Sequence, residues 1–93
     1  MADTPPPVPG PPYRIIWLDS AKADVRRLDR ETAMRIFETV LHFARTGGGN
    51  LTSLHGDLAG GFRLRHGDYR VLFTFERNSM RIFGVKHRSE AYR

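Results

Sequence analysis

The stretch Gly60-Gly-Phe-Arg-Leu-Arg-His-Gly-Asp-Tyr-Arg70 constrains this chain more than any other. Phe62 and Leu64 alternate with Arg63 and Arg65, the period-two pattern of a half-buried strand. Gly67 and Asp68 supply a two-residue hairpin turn, and Tyr69, Val71, Phe73 and Phe75 open a second strand with the same alternation. That turn sets His66 opposite Tyr69, Arg65 opposite Arg70, Leu64 opposite Val71 and Arg63 opposite Leu72. Opposed residues share a face, so Phe62, Leu64, Val71 and Phe73 line one side while Arg63, Arg65 and Arg70 gather on the other. Like charges across a ladder weaken it by roughly 0.2–1 kcal/mol, so folding alone does not select Arg65 against Arg70. The pairing predicts an anionic ligand.

The distribution of charge points the same way. Residues 1–60 hold equal numbers of basic and acidic side chains, so the whole excess of the +5 chain falls in residues 61–93. Basic charge concentrated on one element is the footprint of a polyanion, either nucleic acid or an acidic protein. The 93 residues suffice for one small domain and contain no cysteine, which excludes disulfides, thiolate metal sites and cysteine nucleophiles. No apolar run approaches the ~20 residues of a membrane span, and the N-terminus lacks the pattern of a signal peptide. A cytoplasmic protein without membrane partners is expected.

Residues 1–12 contain six prolines and are expected to form an extended, disordered proline-rich tail ahead of a domain spanning residues 13–93. Tyr13 to Leu18 is β-rich and apolar, suiting a first strand. Asp19 or Ser20 can cap a short helix carrying Ala21, Val25 and Leu28, and Asp29 can cap a second. In that second helix Ala33, Ile36, Phe37, Val40, Leu41 and Ala44 recur at helical spacing until Gly47, Gly48 and Gly49 end it. Leu51, Leu54 and Leu58 tuck a connecting segment against the core. After the central hairpin, taking Asn78-Ser79 as the next loop pairs Glu76 with Arg81, Phe75 with Ile82 and Arg70 with His87. The expected class is α+β in the order β-α-α-β-β-β, with an antiparallel helix hairpin on one face of a small, mainly antiparallel sheet.

Guanidinium groups at Arg63, Arg65 and Arg70 match phosphate oxygens as planar forks, and Tyr69, Tyr92 or His87 can stack on a base. Cutting RNA without a metal needs a base for the 2′-OH, an acid for the leaving 5′-oxygen and fixed positive charge around phosphorus. Arginine supplies only the charge. His87 is the titratable group best suited to proton transfer, Lys86 follows, and Tyr92 can orient a base. The four histidines are dispersed and no His-Glu-x-x-His occurs, which argues against a metal site. His42 reads as surface, His55 as an unpartnered loop residue and His66 as structural.

The run Gly61-Phe-Arg-Leu-Arg-His-Gly-Asp-Tyr-Arg-Val-Leu-Phe73, followed by Ile82-Phe-Gly-Val-Lys-His-Arg-Ser-Glu-Ala-Tyr92, resembles the C-terminal signature of RelE/ParE superfamily toxins, closest to the RelE side. The resemblance covers roughly Tyr13 to Arg93. It implies a RelE-like fold and the toxin of a type II toxin-antitoxin system. Such a toxin is an endoribonuclease (mRNA interferase) that cuts mRNA in the ribosomal A site without metal or cofactor. A cognate antitoxin neutralises it; the free toxin is monomeric, and the antitoxin supplies higher assembly. By position, Arg63 and Arg65 correspond to basic residues near the scissile phosphate and Arg70 to the phosphate-binding arginine. Lys86 and Arg88 correspond to the basic segment that gives a proton donor or transition-state charge, and Tyr92 to the terminal tyrosine that orients the RNA. Where some relatives have lysines as candidate bases this chain has Arg63 and Arg65, and His87 fills that gap chemically. Two alternatives stay open: a ParE-like toxin that binds DNA gyrase, and a noncatalytic module that docks RNA or an acidic antitoxin.

Overall fold

Alternating strands and one long amphipathic helix account for most of the architecture. The structure, a computed structural model, describes residues 8–90; the expectations for residues 1–7 and for Tyr92 lie outside them. The order is β1 (Arg14–Trp17), α1 (Asp19–Arg26), α2 (Arg30–Thr46), β2 (Asn50–Ser53), a 3₁₀ turn (Gly56–Leu58), β3 (Gly61–His66), β4 (Tyr69–Glu76) and β5 (Ser79–His87). The strands form one sheet in the order β1-β5-β4-β3-β2, with β1 parallel to β5 and the other pairs antiparallel. The expected α+β arrangement is present with one strand added. Residues 50–53, assigned to a loop and a connecting segment by sequence, pair with β3, and Leu51 lies opposite Leu64. Four residues behind a glycine run are too few for alternation to stand out.

Helix α2 begins at Asp29, whose carboxylate accepts from the Thr32 N–H, and ends at Gly47, which takes φ 76° and donates to the Phe43 carbonyl. Its buried line is Ile36, Val40, Phe43 and Ala44. These pack with the face formed by Phe62, Leu64, Val71 and Phe73, buried as the alternation predicts. Phe37 and Leu41, expected in the buried stripe, stand exposed beside Met34 because the apolar arc of the helix is wider than the side facing the sheet. Phe37 instead meets Trp17 edge-on at a centroid distance of 5.3 Å.

Helix α1 departs from the expected capping. Leu18 occupies the N-cap without a side-chain bond, Asp19 lies in the first turn, and the Ser20 hydroxyl donates to the Phe83 carbonyl at 2.7 Å. The reason is an unfinished edge. Strand β1 ends where Trp17 pairs with Ile82, so the second half of β5 lacks a neighbour on that side. Helix α1 fills the gap with side chains: Ser20 takes the Phe83 carbonyl, and Asp24 accepts from the Val85 N–H at 2.9 Å. The last part of the proline-rich segment is tied down as well. The Tyr13 hydroxyl donates to the Pro9 carbonyl at 2.6 Å and Asn78 Nδ2 to that of Gly10 at 3.1 Å.

The β3–β4 register is the one the Gly67-Asp68 turn predicts, residue for residue. The β4–β5 register is not. The loop is Arg77-Asn78, with Arg77 at φ 59°, so Glu76 pairs with Ser79 and Phe75 with Met80. Phe73 then pairs with Ile82 but Leu72 with Gly84, which leaves Phe83 as an extra residue on β5. Beyond that bulge Arg70 faces Lys86, and His87 faces Tyr69 in place of the expected Arg70. Among the described residues no helix is long and apolar enough to cross a membrane.

Candidate functional site

The corrected register builds a row. Asn50, Arg65, Arg70 and Lys86 lie directly opposite one another across β2, β3, β4 and β5, and therefore share the face turned away from the α2-covered core. One row along the same face come Thr52, Arg63, Leu72 and Gly84. The bulge at Phe83 decides which residue of β5 joins the arginines: it is Lys86.

Arg65 and Arg70 lean over the same turn. Arg65 Nε donates to the Gly67 carbonyl at 3.3 Å, and Arg70 Nη1 donates to that oxygen at 3.1 Å and to the Tyr69 carbonyl at 3.2 Å. Gly67 permits this with φ 56°, a left-handed conformation at the first loop position. A shared acceptor offsets the repulsion between the guanidinium groups and aims both at one place. Among the described residues no carboxylate forms an ion pair with either. Arg63, half-buried, stands on the same face.

Lys86 and Arg88 are engaged differently. The Lys86 ammonium lies 3.1 Å from Asp24 Oδ2, and its aliphatic stem runs beside Gly84 and Leu72. Leu72 is buried on that same face, with its Cδ1, Lys86 Cε and the Asp24 carboxylate of α1 all close to Gly84. Arg88 closes over the hairpin turn: its N–H donates to the Asp68 carbonyl at 2.7 Å, and its Nε lies 3.6 Å from the Asp68 carboxylate.

His87 belongs to the adjoining row of His66, Tyr69 and His87, on the opposite face from Arg70. Its ring meets Tyr69 edge-on at 5.2 Å, and its Nδ1 accepts from the Ser89 N–H at 3.2 Å. In the neutral ring the proton therefore resides on Nε2. His66 Nδ1 lies 2.9 Å from the Thr39 hydroxyl and links β3 to α2, in keeping with a structural role. Tyr92 lies outside the described residues.

Asp24 escaped sequence reasoning. Nothing in the local pattern of α1 marks it, because its partners Val85 and Lys86 lie more than sixty residues away. Among the described residues no cluster of three His, Cys, Asp or Glu side chains could hold a metal ion. The Arg65–Arg70–Lys86 row is an open face. An apolar cavity of about 420 Å³ lies elsewhere, between Trp17, Val25 and Phe37.

Comparison with known proteins gives these features a family. A sequence profile described as the ParE toxin of type II toxin-antitoxin systems, parDE, matches residues 15–92. The chain belongs to the ParE toxin family. No curated protein matches it. The solved structures similar to this ParE-family chain include the RelBE2 toxin-antitoxin complex of Mycobacterium tuberculosis, at 25% identity over 86% of this chain and 95% of that one, TM-score 0.76. They also include the YoeB/ParE toxin of Agrobacterium tumefaciens, at 20% identity over 80% and 96%, TM-score 0.67. The archaeal RelE-RelB complex of Pyrococcus horikoshii is similar at 21% identity over 86% and 99%, TM-score 0.67. The resemblance drawn from the two C-terminal motifs is thus confirmed at the level of the RelE/ParE superfamily.

Proposed function

We propose that this ParE-family toxin is a metal-independent endoribonuclease that cleaves mRNA on the ribosome in the cytoplasm, and that a cognate antitoxin silences it by covering the basic face. The row of Arg65, Arg70 and Lys86 carries the reading, because it sets three cationic residues opposite one another on one face, with both guanidinium groups unpaired to any carboxylate among the described residues. In-line attack of a 2′-oxygen on the adjacent phosphorus concentrates negative charge on the equatorial oxygens, and fixed cations stabilise that charge most where water is displaced. Arg65 and Arg70 take this role. Lys86, at the end of the row, protonates the departing 5′-oxygen, leaving a 2′,3′-cyclic phosphate. The guanidinium pair lowers the cost of forming the 2′-alkoxide, and solvent takes the hydroxyl proton.

His87, expected as the base, takes no step in this scheme, because it stands on the opposite face from Arg70. Its acceptor nitrogen is occupied by Ser89, and Nε2 of the neutral ring carries a proton. Arg63 and Arg88 hold neighbouring phosphates, and Tyr92 stacks on a base. That several similar structures are toxin-antitoxin complexes supports the antitoxin as partner. The match to a ParE profile favours a second reading, in which the target is DNA gyrase.

Primer extension on a translated message separates the two. The wild-type protein is expected to produce discrete new 5′ ends, and Arg70→Ala to reduce them by about 10²–10³-fold, the loss typical of removing one preorganised charge-stabilising donor. Intact messages together with gyrase trapped on DNA would sink the nuclease reading and leave the second.

A further inference from the structure

Asp24 is the buried charged side chain of the described residues, only 8% exposed. A carboxylate withdrawn from water is costly unless bonded and paired. Finishing the β5 edge requires only an acceptor for the Val85 N–H, which a neutral side chain could supply just as Ser20 serves the Phe83 carbonyl. The negative charge is required for something else. Both carboxylate oxygens engage Lys86: Nζ donates to Oδ1 at 3.2 Å and lies 3.1 Å from Oδ2. Arg27 reaches Oδ1 only at 3.8 Å and is largely exposed, so its share is minor.

A lysine ammonium ends a flexible four-carbon stem and is the least preorganised of the cations in the row. Here the stem is fixed. A Cβ at Gly84 would lie 3.5 Å from Lys86 Cε, 3.5 Å from Leu72 Cδ1 and 3.6 Å from Asp24 Oδ2, so the glycine is the floor over which stem, leucine and carboxylate meet. We infer that Asp24 is a positioning residue: anchored on the Val85 N–H, it clamps the Lys86 ammonium at the β5 edge of the arginine face, at the end of the row that the nuclease reading gives to the scissile phosphate. This rests on the nuclease reading for its purpose but not for its geometry, and the two are tested apart.

The chain has two lysines, Lys22 and Lys86, so lysine labelled with ¹³C gives two resolvable ε-methylene signals. Exposed Lys22 serves as the internal free standard. A clamped Lys86 is expected to show two inequivalent ε-protons in the wild type, collapsing to one averaged signal in Asp24→Asn, which keeps the acceptor for Val85 but removes the charge. Averaged Lys86 protons in the wild type overturn the proposal whether or not the protein cuts RNA. Single-turnover cleavage is the second arm. Asp24→Asn is expected to slow cleavage by about 10–100-fold, as misplacing a reacting group does, with affinity for a 2′-O-methyl oligonucleotide within about threefold of wild type. In a Lys86→Met background the same substitution should add less than about twofold, because the two side chains act as one unit. Multiplicative losses, or wild-type cleavage by Asp24→Asn, overturn the proposal. Absence of cleavage by the wild type overturns the nuclease reading, and the ε-proton signals then decide the clamp by themselves.

Discussion

At Asp29 one carboxylate accepts from the Thr32 hydroxyl at 2.6 Å and from the Thr32 N–H at 3.1 Å. These bonds, the hydroxyl's first, hold its carboxyl below the ordinary carboxylate range. A folded-state value below the unfolded one means that the contribution to stability is complete above the unfolded pKa and fades as pH falls through the folded one. Asparagine caps helices about as well as aspartate but does not titrate there. Wild type and Asp29→Asn should therefore unfold at similar temperatures near neutral pH, while below about pH 4 the wild type loses the part of its stability that this group carries. Thermal unfolding followed by circular dichroism from pH 7 to pH 2 measures it, and identical pH profiles for the two proteins would contradict it. Asp29 was legible in the sequence because its partner is three residues away. Asp24 was not, since an aspartate inside an amphipathic helix looks like solvated surface until β5 is laid beside it.

Among the elements, α2 separates what periodicity can say from what it cannot. Its repeat marks Ile36 and Leu41 alike as apolar, yet Ile36 is wholly buried and Leu41 is 48% exposed. Ile36→Ala should cost about 2–5 kcal/mol, the range for emptying a packed site, whereas Leu41→Ala should stay within about 0.5 kcal/mol of wild type. Chemical denaturation decides, and equal losses would mean that the helix packs through a different arc. The strands divide in the same manner. The β3–β4 hairpin could be read outright because Gly67-Asp68 is a turn whose chemistry declares itself, and a two-residue loop dictates every pair beyond it. The β4–β5 hairpin could not, because Arg77 adopts a positive φ that arginine disfavours, and the extra residue at Phe83 has no local signature. The consequence reached the site: the earlier loop and the bulge together set Lys86, in place of His87, beside Arg70. Strand β2 stayed hidden for want of length, although it carries Asn50 to the end of the same row.

For the molecule as a whole, the excess of positive charge is confined to residues 61–93, and the fold spends part of it internally. Arg81 is paired with Glu76 at 3.1 Å, Arg88 lies beside Asp68, and Lys86 is held by Asp24. Arg65 and Arg70 pair with no carboxylate among the described residues and are the cations best able to displace counterions from RNA. For a single strand each neutralised phosphate contributes about −0.7 to the slope of log K against log salt concentration. The four guanidinium contacts of Arg63, Arg65, Arg70 and Arg88, with a lysine already partly neutralised by Asp24, then give a slope of about −2.8 to −3.5 for a 2′-O-methyl oligonucleotide. Arg65→Ala should bring it toward zero by about 0.7 and weaken binding at every salt concentration. Arg35 provides the contrast, since it carries the same charge but is paired with Glu31 at 2.9 Å on exposed α2 surface. Arg35→Ala should leave the slope unchanged, because that guanidinium stands outside the Arg65–Arg70–Lys86 row. Fluorescence anisotropy between about 50 and 200 mM salt covers the range in which such slopes are read. Equal shifts from the two substitutions would mean that RNA responds to net charge alone, and the aligned row would then have no privileged part in binding.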